Sequence, residues 1–522
     1  MSPLDFSLIF GYLILVIVIA LWAGRGQSTD RDYYLASGGL SWWSSGMSVM
    51  ATQTSAISFI SIPAFVALKP EGGLRFIQYE FALPLAMLAA MLVIFPALLR
   101  GGVISIYEFL EQRFDPGVRR LLSLVFLLSR GLATGVMVYA TGIVLSAIVD
   151  LPFWAVLLII GGGAVLQDMA GGIKAVVYTD VIQLIVLVLG LLVSIVIGLE
   201  MVGGWSVVRE TVPPERWITL TPDLGLDSGN ATPLWGFLVG GFFLYLSYYA
   251  TDQSQAQRVL ATGSAKRINR ALLLNGLARF PLTLMYLTLG LVLAALVATT
   301  PELAGQIPKE RLDSLVPIFV TGYLPEGLRA LLIAALLSAA MSSLDSALNA
   351  LSAATARDFL ETPERPLSIW HNRLVTLGWG VLVTVFAFVV GNIADTVVEA
   401  INKIGSAFYG PILAAFTAGI LLPSITATGI KQGIAAGVLL NLGLWLAVPQ
   451  VSWMWWNACG FLSAILVALI TADRSRSDMG SNTAVEYLRR HWPQAKAHGL
   501  LLMGWSALII LLAAVVPMWV GP

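Results

Sequence analysis

Three stretches of the sequence set oxygen-bearing side chains in the middle of apolar runs. The first is Ala51-Thr52-Gln53-Thr54-Ser55-Ala56-Ile57-Ser58, followed by Pro63, and the second is Tyr248-Tyr249-Ala250-Thr251-Asp252-Gln253-Ser254-Gln255. The third runs from Ser338 to Ser352. At about 100° per residue, Ser338, Ser342, Asp345, Asn349 and Ser352 share one helical stripe, flanked by Ser343 and Ser346. Hydroxyls around a carboxylate are hard oxygen ligands and suit a small hard cation, and there is no cysteine and histidine set for a transition metal. The plainer alternative for the same residues is hydrogen bonding between packed helices.

Acid–base or metal chemistry inside a membrane enzyme usually needs histidine. The three here, His371, His491 and His498, all fall in predicted cytoplasmic loops away from the polar clusters. An ion channel would need rings of similar groups around a pore, usually from several subunits. A sensor would need an output module, and the longest cytoplasmic stretch, Asp473–His498, is too short to form one.

The elements that must position these residues are membrane helices. Of 522 residues, 57% are hydrophobic and 11% charged, against roughly a quarter charged in soluble domains. The mean hydropathy is +0.83, and runs such as Phe6–Trp22 and Val181–Leu199 can cross a hydrocarbon layer. The first run lacks a basic n-region, starting beside Asp5, and is followed by Arg25 without a small-residue cleavage site, so it reads as a span, not a signal peptide. Net charge is zero with no basic block, which gives no footing for nucleic acid. Cys459 is the single cysteine and cannot form an internal disulfide.

The expected fold is an all-α polytopic membrane protein of about 14 transmembrane helices, from 6–24 to 499–519, each near the ~20 residues a bilayer requires. The ninth region, 315–356, is too long for one span and divides into an oblique piece, Leu315–Tyr323, and a true span from about Leu328. A carboxylate such as Asp252 costs about 3 kcal/mol or more at mid-membrane, so it should face protein or an aqueous cavity. The first two polar clusters interrupt spans about five apart. Transporters built from inverted repeats place a broken helix at the start of each half, which assigns 41–200 and 234–421 to two five-helix repeats and 6–24 and 425–519 to peripheral helices of one transmembrane domain.

At these clusters the chain resembles the sodium/solute symporter family, whose members carry sugars, sialic acid, proline, iodide and vitamins. The resemblance rests on Ala51–Ser58, on Gly171–Asp180 with Gln183, and on Asp252-Gln253 with Gln257-Arg258. It continues through Met341-Ser342-Ser343-Leu344 with Asn349, and Glu399–Ser406 with Tyr409-Gly410-Pro411, in the family's order. It implies a LeuT-like fold with one helix before the repeats and three after, and sodium-coupled symport of a small polar solute by alternating access. The candidate solutes are a sugar, sialic acid, an amino acid or a monocarboxylate. A proton-coupled symporter of the same fold is the alternative.

The resemblance further implies a sodium site from the backbone oxygens of Ala51, Thr54 and Ala339 and the hydroxyls of Ser342 and Ser343. The carbonyls freed by a broken helix facing a hydroxyl-bearing helix give the same all-oxygen cage. Solute contacts are expected at Gln53, Ser58, Glu80, Asp252 and Gln253 around one cavity; Glu80 matches the sugar carriers, whereas Ser58 and Asp252 stand where those have amides. A second cation or proton site is expected at Asp180, Ser342, Asp345 and Ser346, the alternative being a pairing of Asp180 with Lys174. Arg130, Arg279 and Lys403 are expected to reach membrane interfaces.

Lysine and arginine set the orientation. With the N-terminus outside, cytoplasmic loops hold roughly twenty of the 30 basic residues. This predicts both termini periplasmic in a bacterial-type inner membrane; separately, the protein is expected to act as a monomer, with sodium, its solute and the lipid bilayer as partners.

Overall fold

In the computed structural model, which describes residues 2–149, 151–226, 232–308, 311–362, 367–389, 397–472 and 480–515, every principal element is helical. Ten helices are long and apolar enough to cross a membrane, and the bent pair Trp42–Gln53 and Ala56–Leu68 makes an eleventh. In chain order the principal helices begin with α1 (Pro3–Ala23), α2 (Trp42–Gln53) and α3 (Ala56–Leu68), then the span α4 (Gly73–Gly101). Next come α5 (Pro116–Val149), α6 (Phe153–Val202), α7 (Gly241–Ala250), α8 (Gln253–Leu260) and α9 (Ala265–Thr299). The chain continues with α10 (Leu315–Tyr323), α11 (Leu328–Thr355), α12 (Ile369–Val389) and α13 (Val397–Leu421). It closes with α14 (Ala427–Ala447), α15 (Met454–Ile470) and α16 (Gly480–Val515).

Each expected span meets a helix, and the ninth region divides as expected into α10 and α11. The 50-residue α6 supplies both the fifth and sixth spans. Gly172 separates them with φ +50° and ψ −149°, and a Cβ there would sit 2.3 Å from the Tyr33 carbonyl oxygen. Only glycine meets both the backbone and the space requirement.

The two interruptions are local capping events. Ser55 is extended and its hydroxyl accepts from the Ser58 N–H at 3.4 Å, which starts α3 as a new helix bent 56° from α2. Asp252 does the same for α8, accepting from the Ser254 N–H at 2.8 Å.

Lipid offers no hydrophobic drive between helices, so close packing relies on small side chains. The ninth span is accordingly rich in alanine, including Ala334, Ala335, Ala339, Ala340, Ala347 and Ala350, and 94% of its most apolar window is buried, against 22% for α1 and 28% for α12. It is the axis around which the site is built.

One expectation is corrected. None of the three histidines lies in a loop: His371 is in the first turn of α12, and α16 begins at Gly480 and takes in His491 and His498. Hydropathy registers only the apolar C-terminal half, whereas the N-terminal half is amphipathic, with Arg489 and Arg490 exposed and Ala495 buried. Residues 473–479, the expected span ends at 390–391, 396 and 516–519, and the side chains of Ser338 and of Glu399 to Asn402 lie outside the described residues.

Candidate functional site

The break between α2 and α3, and α7, the helix that leads into the second break, border one cavity of about 950 Å³, counting the part open to solvent. Gln53, Ser55 and Ser58 line it from the first break, Tyr248 from the helix before the second, and Ser343 from α11. Phe76, Tyr79 and Tyr409 add aromatic walls. Of the expected solute residues, Gln53 and Ser58 reach this lining. Gln53 Oε1 is buried without a hydrogen-bond partner, so it is available to a bound molecule.

Glu80 and Asp252 stand one layer back, each behind an arginine that does line the cavity. Arg279 Nε lies 3.3 Å from Glu80 Oε1, which also accepts from the Thr283 hydroxyl at 2.8 Å, and Arg279 Nη1 donates to Thr54 Oγ1 at 2.8 Å. Arg130 Nη1 is 3.8 Å from Asp252 Oδ2, its guanidinium lies 5.9 Å from the Tyr248 ring centroid, and its Nε is buried without a partner. The expectation that Arg130 and Arg279 reach a membrane interface is therefore corrected: both point into the cavity wall. A buried carboxylate sets that direction, because a charge far from water must be paired. Gln253 faces elsewhere, holding the backbone of Ile104 and Ile106.

The proposed sodium ligands fall where α2 and α11 meet. The two helices touch through Thr52 Oγ1 and Ser346 Oγ, 3.3 Å apart, and Ala51, Ala339, Ser342 and Ser343 are all buried. The Thr54 N–H returns to Met50 O at 2.9 Å and Ala51 O at 3.0 Å, closing α2. Ser343 Oγ is buried without a protein partner, whereas Ser342 Oγ donates to Asp180 Oδ1. The two adjacent hydroxyls thus differ in what they are free to bind.

Behind them lies a buried polar cluster. Asp180 pairs with Arg258 at 3.5 Å and accepts from Ser48 Oγ, so its basic partner is Arg258, not Lys174. Arg258 also donates to Ser48 Oγ at 2.8 Å, to Ser346 Oγ and to the Ser254 carbonyl. Asp345 is fully buried and, among the described residues, accepts only from Ser346 at 3.4 Å, its Oδ2 having no partner. Sequence reasoning quoted Arg258 in a motif without giving it a role. Its signal was available: an arginine in the last turn of a half-helix flanked by buried polar residues requires an acidic partner.

A family model described as "Sodium:solute symporter family" matches residues 33–437. The chain belongs to the sodium:solute symporter family. The symporter is 29% identical over 451 residues to the human sodium/iodide cotransporter, an alignment covering 84% of this chain and 69% of that one. It is 26% identical over 495 residues to the sodium/sialic acid symporter NanT of Aliivibrio fischeri, covering 92% and 95% of the two chains. It is 28% identical to the bovine sodium-coupled monocarboxylate transporter 2, covering 81% and 68%. A solved outward-open structure of a sodium-coupled sialic acid symporter superposes with a TM-score of 0.80 at 24% identity, over 90% of this chain and 98% of that one, which establishes the shared fold. The symporter therefore couples sodium to the movement of a small polar solute, and sodium is its co-transported ion.

Proposed function

We propose that the symporter carries a small solute bearing a carboxylate, held by Arg130 in the central cavity with Gln53 and Ser58 taking its neutral polar groups. The observation that carries this reading is the Arg130 environment. Its link to Asp252 is long at 3.8 Å and its Nε is unpartnered, so the guanidinium keeps donors for an anion in the cavity. The related proteins named for sialic acid and monocarboxylates handle carboxylates, which supports the same class. Glu80 and Asp252 act by orienting the two arginines.

Sodium binds at Ala51, Thr54, Ala339, Ser342 and Ser343, on this reading, beside the break that also shapes the solute cavity. A second cation or proton belongs to Asp345, because Arg258 already neutralises Asp180 while Asp345 has no base within ion-pair distance among the described residues. The repeats are 41–200 and 234–421, and the protein works as a monomer in a bacterial-type inner membrane with both termini outside.

A thermal-shift comparison of N-acetylneuraminate, a short monocarboxylate and galactose, each in sodium and in potassium, tests the solute class. The reading expects a rise in midpoint with a carboxylate in sodium and none with galactose. Stabilisation by galactose alone contradicts it.

A further inference from the structure

We propose that Gln253 is a positioning residue for transport, whose carboxamide couples the broken α7/α8 span to a buried loop, and which does not contact solute. The loop is residues 103–107, between α4 and the short helix Glu108–Arg113. It has no regular structure, yet all five residues are buried. A loop withdrawn from water must have its backbone groups satisfied by something else. Gln253 supplies both kinds of partner at once: Oε1 accepts from the Ile106 N–H at 2.8 Å, and Nε2 donates to the Ile104 carbonyl at 2.9 Å.

A second clasp holds the residue between them. Ser105 Oγ donates to Asp358 Oδ2 at 2.8 Å, and Asp358 also accepts from Ser123 at 2.6 Å and from Arg119 Nε at 2.8 Å. Asp358 continues the ninth span that carries Ser342 and Ser343. The loop is therefore gripped by the two spans that also build the cavity and the ion site.

The coupling runs through one peptide bond. Asp252 caps α8 and pairs with Arg130 in the cavity wall, and the next residue holds the loop. A change at the Asp252–Arg130 pair turns a half-helix whose first residue is anchored in the loop, so the cavity wall and the loop move together. A carboxamide is the side chain that can accept from one backbone N–H and donate to one C=O; a carboxylate keeps only the accepting half.

The test is thiol labelling of Ile104→Cys in a Cys459→Ser background, read with saturating sodium and without it. In this parent, sodium should slow labelling. Adding Gln253→Ala should raise the sodium-bound labelling rate by about tenfold or more and abolish the sodium response, as expected when the hydrogen bonds that hold a local opening shut are lost. Gln253→Glu should fall between the two. It also decides the matter if Gln253→Ala fails to fold, since parent-like labelling in the Glu variant overturns the proposal. A sodium response that persists in Gln253→Ala overturns it too, because a merely structural tie would change stability without removing that response. None of these readouts depends on which solute the cavity takes.

Discussion

Arg258 Nε lies 3.5 Å from Asp180 Oδ2, with 1% and 0% of the two side chains exposed to solvent. The guanidinium joins α6, α2 and α11 through Asp180, Ser48 and Ser346. Removing it strands a buried carboxylate. Arg258→Met should therefore cost about 3–5 kcal/mol of stability, and Asp180→Asn combined with it should recover part of the loss. Unfolding midpoints of the purified single and double variants measure both.

Ser342 and Ser343 should separate sodium binding from structure. Ser343→Ala removes a hydroxyl with no protein partner, so it should weaken sodium affinity by roughly tenfold while leaving thermal stability without sodium unchanged. Ser342→Ala also breaks the bond to Asp180 and should lower both. Sodium titrations monitored by tryptophan fluorescence, paired with melting curves, distinguish the two patterns.

Arg130→Ala should lose affinity for a carboxylate solute by about tenfold to a hundredfold, the range for a charge-assisted contact, with sodium affinity nearly intact. Asp252→Asn should act in the opposite direction, because it frees the guanidinium from its 3.8 Å partner. Calorimetric titration of both variants with N-acetylneuraminate and with a short monocarboxylate reads out the sign.

Much of this architecture was legible in the sequence. The breaks near Thr54 and Asp252 were visible because capping residues interrupt apolar runs, and the division of 315–356 followed from bilayer thickness. The residues proposed for sodium could be named from sequence because backbone breaks and helical stripes are local features. What escaped was side-chain direction. Arg130 and Arg279 read as interface residues because hydropathy records depth in the membrane and not the face of the helix, and the carboxylates that turn them inward are 122 and 199 residues away. Gln253 escaped for a related reason: it sits beside the cavity in sequence, but the partner that fixes it is a loop 147 residues earlier. Amphipathic α16 was hidden because its polar half resembles a loop to any window that averages around the helix.

Outside the membrane, Asp32 should show a defined acid response. Its carboxyl is held below the usual carboxylate range, chiefly by the Ser37 hydroxyl, then by the Thr29 hydroxyl and the Ser28 N–H. A depressed folded-state pKa means that the ionised form stabilises the 28–38 turn above the ordinary carboxylate value of about 4, and that this is lost as pH falls through the lower folded value. The stability gap between the parent and Asp32→Asn should thus be constant from about pH 5 to 8 and shrink below about pH 4. Melting curves against pH measure it.

Asp345 should govern any stoichiometry beyond one. With its Oδ2 unpartnered, Asp345→Asn should lower the Hill coefficient for sodium to one if a second sodium binds there, or remove the pH dependence of uptake if a proton does. Uptake into proteoliposomes across a sodium and pH grid tells these apart, and parent-like behaviour in the variant contradicts both.

The central claim is that sodium and a carboxylate solute bind to one another's advantage around the broken second span. Its most direct test is the equilibrium affinity of the purified protein for N-acetylneuraminate and for a short monocarboxylate, measured in sodium and in potassium, for the parent and Ser343→Ala. Because coupling is reciprocal, at least one carboxylate should bind about tenfold or more tightly in sodium, and that gain should shrink in Ser343→Ala. Equal affinities for both carboxylates in the two salts, or a sodium gain untouched by Ser343→Ala, would contradict the account.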